Sequence, residues 1–162
     1  MRPEKLEEIA MRYAPVGIHI RWKRLTKPKG RKMNHLVPAY AHLFREEMLA
    51  PRPRTREKLY VFLHECGHFT LRHFPPTWAV NPVHKKLYTR PEAAHEPTHV
   101  QEYEAEQFAI QTMRREGIPV PRNMLAEAKK YVRECIKADL KKAKRRKKLM
   151  KIEPRIEEWA NK

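Results

Sequence analysis

Residues 3 to 13 place Leu6, Ile9, Ala10 and Tyr13 at helical spacing, which predicts a short amphipathic helix stopped by Pro15. From Val16 the period changes to two: Val16, Ile18, Ile20 and Trp22 alternate with Gly17, His19, Arg21 and Lys23, the pattern of a strand with one buried face. The segment from Lys27 to Lys32 is a basic turn, and short strands are expected over Tyr40 to Phe44 and Glu47 to Ala50. Thr55 is placed to cap a helix carrying Leu59, Phe62, Leu63, Cys66, Phe69 and Thr70 and ending near Pro75. Apolar residues surround this helix almost completely, so it should be central. Pro75 to Pro97 holds five prolines without periodicity and reads as a loop or lid. A second strong helix is expected with Thr98 as cap and Gln101 as its capping-box partner, stopping at Gly117. Leu125, Ala128, Val132, Cys135, Ile136 and Leu140 then form the stripe of a third helix.

These elements predict an α+β fold: a small sheet beside a central helix, a mostly helical C-terminal half, and a basic helical tail. The expected division is a domain over residues 1–140 and a tail over 141–162. Two cysteines, Cys66 and Cys135, are too few for a disulfide framework, and no stretch approaches the roughly 20 apolar residues needed to span a bilayer. With no apolar leader pattern after Met1, a cytoplasmic protein that does not enter membranes is expected.

The central helix contains His64-Glu65-Cys66-Gly67-His68. Two imidazoles four residues apart stand on one helix face, one turn from each other, which is the spacing needed by two ligands of one zinc ion. Glu65 projects roughly 100° away from His64 and is free to serve as general base of metal-assisted hydrolysis. Histidines in the middle of an apolar helix otherwise need buried polar partners. Leu71 and Phe74 stand where an extended HExxHxxGxxH motif requires glycine and histidine, so the third ligand must lie further along.

On the second helix, Ala105, Phe108, Ala109, Thr112 and Met113 define the buried face at about 100° per residue. Glu102 falls inside that arc, Glu106 just past its edge, and Glu104 further out. A carboxylate on a core stripe needs a partner or a metal, which selects Glu102 as third ligand. Glu106 is either an orienting partner for a ligand histidine or a solvated residue. His99 is the rival ligand, or an oxyanion stabiliser; it, His84 and His95 otherwise read as ordinary loop or surface histidines.

The HExxH pattern together with Glu102-Tyr103-Glu104-Ala105-Glu106-Gln107-Phe108-Ala109 resembles the ImmA/IrrE-like metallopeptidases, and more loosely the HtpX-type gluzincins, over the span from Thr55 to Gly117. The resemblance implies a zinc metallopeptidase core in which the first Glu of the second motif, here Glu102, is the third zinc ligand. It also implies a sheet edge that holds extended substrate, and a biology of repressor-type regulators and mobile elements. The position of Glu106 is more usually Asn or Asp in these families.

Charge adds a second theme. Lys and Arg number 36 against 19 Asp and Glu, a formal net charge of +17, which favours an anionic partner. Lys141, Lys142, Lys144, Arg145, Arg146, Lys147 and Lys148 could track a phosphate backbone, and seven further basic residues lie between Arg21 and Lys32. No base-reading motif accompanies them. The leading expectation is an intracellular zinc endopeptidase acting on a protein such as a DNA-bound repressor. The alternatives are a SprT-like protease completed by a third histidine, for which His99 is the candidate, and a basic nucleic-acid-binding or adaptor protein with a structural zinc site.

Overall fold

A computed structural model describes residues 1–23, 40–42, 47–71, 97–145 and 149–162. The basic turn from Lys27 to Lys32, the expected loop from Pro75 to Glu96, and Arg146 to Lys148 lie outside the described residues. The elements run α1 (Pro3–Tyr13), β1 (His19–Lys23), β2 (Tyr40–His42), β3 (Glu47–Pro51), α2 (Arg56–Thr70), α3 (Thr98–Arg115), α4 (Arg122–Arg145) and α5 (Pro154–Asn161). This is the expected α+β fold.

The sheet has the order β1-β3-β2. β1 runs parallel to β3 with Ile20 opposite Met48, and β2 runs antiparallel with Ala41 opposite Met48. The strand expected from Val16 begins three residues late, because Gly17 adopts a positive φ of 80° and turns the chain while Val16 is fully exposed. The alternation holds at Ile18, just before β1, and at Ile20 within it, both of which pack on the core, whereas Trp22 is half exposed and stacks on Phe62 of α2 at 5.7 Å between ring centroids.

α2 is buried on nearly every side: Leu59, Tyr60, Phe62, Leu63 and Cys66 are all within 2% of full burial. Its first turn is capped as expected, with the Thr55 side chain accepting from the Lys58 amide at 3.3 Å. α1 and β3 both pack on it, and α3 makes its most extensive contact. That contact depends on Gly67. A Cβ there would meet the Ala105 Cα at 3.0 Å, the Ala105 carbonyl oxygen at 3.2 Å and the Phe108 Cβ at 3.2 Å, so only glycine lets the two helix backbones approach this closely.

The two ends of α3 differ from each other. Its C-terminus is a Schellman stop: Gly117 has φ 67°, the Ile118 amide donates to the Met113 carbonyl at 2.8 Å, and the Gly117 amide to Arg114 at 3.0 Å. Ile118 and Met113 are both buried, which supplies the hydrophobic contact of the motif. At the other end Thr98 is the first helical residue and not the cap. Pro97 holds that position and offers no side-chain bond. Asp139 of α4 supplies it instead, its Oδ2 accepting from the His99 amide at 3.0 Å and facing His99 Nδ1 at 2.9 Å.

α4 continues unbroken to Arg145, past the boundary expected after residue 140. Its buried face is Met124, Ala128, Val132, Cys135, Asp139 and Ala143, so the expected stripe bends away from Leu140, which is 40% exposed. The last helix was not foreseen. Within the segment read as a tail, Ile156 and Ala160 of α5 are fully buried against Val100 and Val132. Trp159 meets Tyr103 edge to face at 5.4 Å, and Arg133 donates to the Ala160 carbonyl, closing α5 against α4. Residues 154–161 therefore brace the half of α3 that carries Glu102. Among the described residues no helix is long and apolar enough to cross a membrane.

Candidate metal centre

His64 and His68 rise from one face of α2, and Glu102 comes from the second turn of α3, beside them. Their ligand atoms all lie within 4.8 Å of one another, and the group could hold a metal ion. His64 Nε2 stands 3.1 Å from His68 Nε2 and 3.4 Å from Glu102 Oε2, while His68 Nε2 is 3.7 Å from the same oxygen. Ligands at about 2.0–2.1 Å from a tetrahedral ion are separated by about 3.4 Å, the edge of that tetrahedron. The three separations scatter around this value.

Around this triangle the helices supply a supporting layer. Glu106, one turn after Glu102, is buried and places Oε1 3.2 Å from His64 Nδ1. The alignment falls short of a hydrogen bond, leaving His64 Nδ1 as a buried polar atom without one. The other Glu106 oxygen accepts from the Tyr60 hydroxyl, itself one turn before His64. A ring nitrogen facing a carboxylate fixed by a further donor is the arrangement that orients a ligand histidine and raises its basicity.

The electrostatics follow from burial and proximity. Burial disfavours charge on His64, but the Glu106 and Glu102 carboxylates outweigh it and hold its pKa well above 6.5. Burial likewise pushes Glu102 upward, and bonding to His64 and His68 overcomes this and holds its carboxyl well below the usual range. Glu65 is 6% exposed, and its pKa is raised chiefly by burial, against the opposing pull of His64 and His68. A carboxyl in this setting holds a proton more readily than one in water, which suits a group that must take up and return protons.

The remaining candidates separate from the group. His99 is 1% exposed, and both its ring Nδ1 and its backbone amide are committed to Asp139; it is not among the metal-ligating atoms. Glu104 is half-buried and not on an open solvated face. His84 and His95 lie outside the described residues. Cys66 and Cys135 are both buried and unpaired with each other, and burial pushes the Cys135 thiol up to about 12.

Tyr60, Asp139 and Tyr131 were not singled out in the sequence. Tyr60 could have been found from its place one turn before His64. Asp139 lies on the core stripe of its helix, four residues after Cys135, and the argument that selected Glu102 applies equally to it. Tyr131 of α4 lies close enough to Glu102 and Glu65 for their charges to raise its hydroxyl pKa, behind the larger effect of burial. Only the packing of α4 reveals that.

No protein-family model, curated protein or solved structure matches the chain. The fold and the site together define an α+β protein with a candidate metal centre made of two histidines and a glutamate.

Proposed function

We propose that this chain is a zinc-dependent endopeptidase in which His64, His68 and Glu102 hold the ion and Glu65 is the general base. The observation that carries this reading is the convergence of the three ligand atoms, from two separate helices, directly beside a buried carboxylate that takes no ligand position. Three protein ligands are the usual complement of a catalytic zinc site, whereas structural sites take four, and among the described residues the group has three. Nitrogen and carboxylate donors suit zinc better than the hard, all-oxygen cations.

When bound, zinc supplies Lewis acidity to a scissile carbonyl and acidifies water. Glu65 takes the proton released as water attacks the peptide carbon and returns it to the departing amine. Glu106, steadied by Tyr60, keeps the His64 ring oriented. The close α2–α3 contact at Gly67 holds Glu102 against the two imidazoles. The likeness of the HExxH and ExxAxxFA segments to ImmA/IrrE-like metallopeptidases supports the same reading.

The test is metal analysis and proteolysis on the wild type and on Glu65→Gln, with a fluorescently labelled unfolded protein as substrate. Both proteins should carry one zinc, and the variant should lose about 10²- to 10⁴-fold in rate, the usual worth of a general base. Equal rates in the two zinc-loaded proteins would sink the assignment of Glu65. Full zinc with no cleavage by the wild type would favour a structural zinc site in a binding protein.

A further inference from the structure

We propose that the outer face of α4 is a docking ridge for the phosphate backbone of double-stranded DNA. The inference does not rest on the metal reading. Lys130, Lys137, Lys141, Lys144 and Arg145 are all exposed, and at 100° per residue they fall within an arc of about 100°. This arc is opposite the buried face formed by Met124, Ala128, Val132, Cys135 and Asp139. From Lys130 to Arg145 the ridge is about 22 Å long at 1.5 Å per residue. Lys141, Lys142 and Arg145 also line a shallow groove floored by Ala138.

Among the described residues unpaired cations also occur elsewhere, as at Lys5, Arg56 and Arg114, but on this face five of them share one arc of a single helix. Arg12, Arg21, Arg52, Arg54, Arg155 and Lys162 all sit within ion-pair distance of a carboxylate. Among the described residues, none of the five ridge cations makes such a pair; between Lys130 and Arg145 Glu134 is the only acid within the arc, and Glu127, one turn before Lys130, stands at its edge. Asp139, the other acid of that stretch, is buried on His99.

The shape chooses among polyanions. The apolar side of α4 is already covered by α3 and α5, so no apolar face remains to enter a lipid surface. A ridge without a row of aromatic platforms does not suit single strands. A helical ridge laid along the major groove meets the phosphates of both strands only where the groove admits a helix, as that of B-DNA does and the narrow one of A-form RNA does not.

Fluorescence anisotropy with a 20-base-pair duplex across a potassium chloride series tests the ridge. Each phosphate neutralised contributes about 0.9 to the slope of log affinity against log salt. The triple variant Lys137→Gln/Lys141→Gln/Lys144→Gln should therefore lose about 2.7 of the wild-type slope and bind more weakly throughout. Lys5→Gln/Arg56→Gln/Arg114→Gln, which removes the same charge elsewhere, should keep the wild-type slope. Unchanged thermal midpoints establish that both variants fold. The proposal is overturned by an unaltered slope in the ridge variant, by an equal loss in the control, or by binding to phosphatidylserine vesicles without binding to duplex DNA.

Discussion

Replacing Gly67 by alanine sets two effects of opposite sign against each other. In a helix interior, alanine is favoured over glycine by up to about 1 kcal/mol. Here the added Cβ would stand 3.0 Å from the Ala105 Cα and 3.2 Å from its carbonyl oxygen, against the about 3.5–4.0 Å of an unstrained carbon contact. The obstructing atoms are backbone, so the helices must separate by a few tenths of an ångström. Overpacking of this kind costs about 1–3 kcal/mol, which exceeds the propensity gain. With the full propensity gain set against it, the expected net loss is up to about 2 kcal/mol, or up to roughly 8 °C in Tm for a chain of this size.

The same displacement reaches the metal centre. Gly67 adjoins His68, and Ala105 follows Glu102 by three residues, so spreading the helices widens the gaps of 3.4 and 3.7 Å that Glu102 Oε2 makes to the imidazoles. Metal sites tolerate errors of only about 0.2 Å, and we expect zinc affinity to fall on the order of tenfold. Thermal unfolding of the metal-free protein and zinc titration against a competing chelator measure the two effects separately. A more stable variant with unchanged zinc affinity would refute both the tight helix contact and its role in placing Glu102.

Two further outcomes follow from the same geometry. Because the pKa of His64 is raised in the folded metal-free protein, its contribution to stability is complete below about pH 6.5 and is lost as pH rises through the raised value; zinc needs the neutral ring. The zinc-induced increase in Tm should therefore grow from pH 6 to pH 8, and an increment that is flat across that range would contradict the carboxylate environment assigned to His64. Asp139→Ala removes the cap of α3 and strands the buried His99, so it should cost about 1–3 kcal/mol in denaturant unfolding, with Asp139→Asn milder because its side-chain oxygen can still accept from the His99 amide.

Local rules made much of this legible in the chain. Thr55, the apolar surround of the HExxH helix and Gly117 announced α2 and the end of α3, because caps and left-handed stops depend on neighbours within one turn. The 3.6-residue period likewise placed Glu102 on an inward face, since a carboxylate on a core stripe is conspicuous by itself. Where a partner lies far along the chain the pattern misleads. Val16 continues the alternation of β1, yet the turn at Gly17 takes it into solvent. Thr98 has the chemistry of a cap, yet the bond to the His99 amide comes from Asp139, 40 residues beyond His99.

What the sequence by itself determined is the set of candidate ligands, the helices that carry them, and the excess of positive charge. The tertiary structure decided that Glu102 and not His99 stands beside the two imidazoles, that Glu106 and Tyr60 back His64, and that Ile156 and Ala160 return to the core as a brace. It also decided that five exposed cations without a carboxylate partner share one arc of α4. The reason is physical: helical period and capping act over a few residues, whereas ligand convergence and charge pairing depend on how α2, α3 and α4 pack. That packing is set by contacts such as Gly67 against Ala105, which no local pattern encodes.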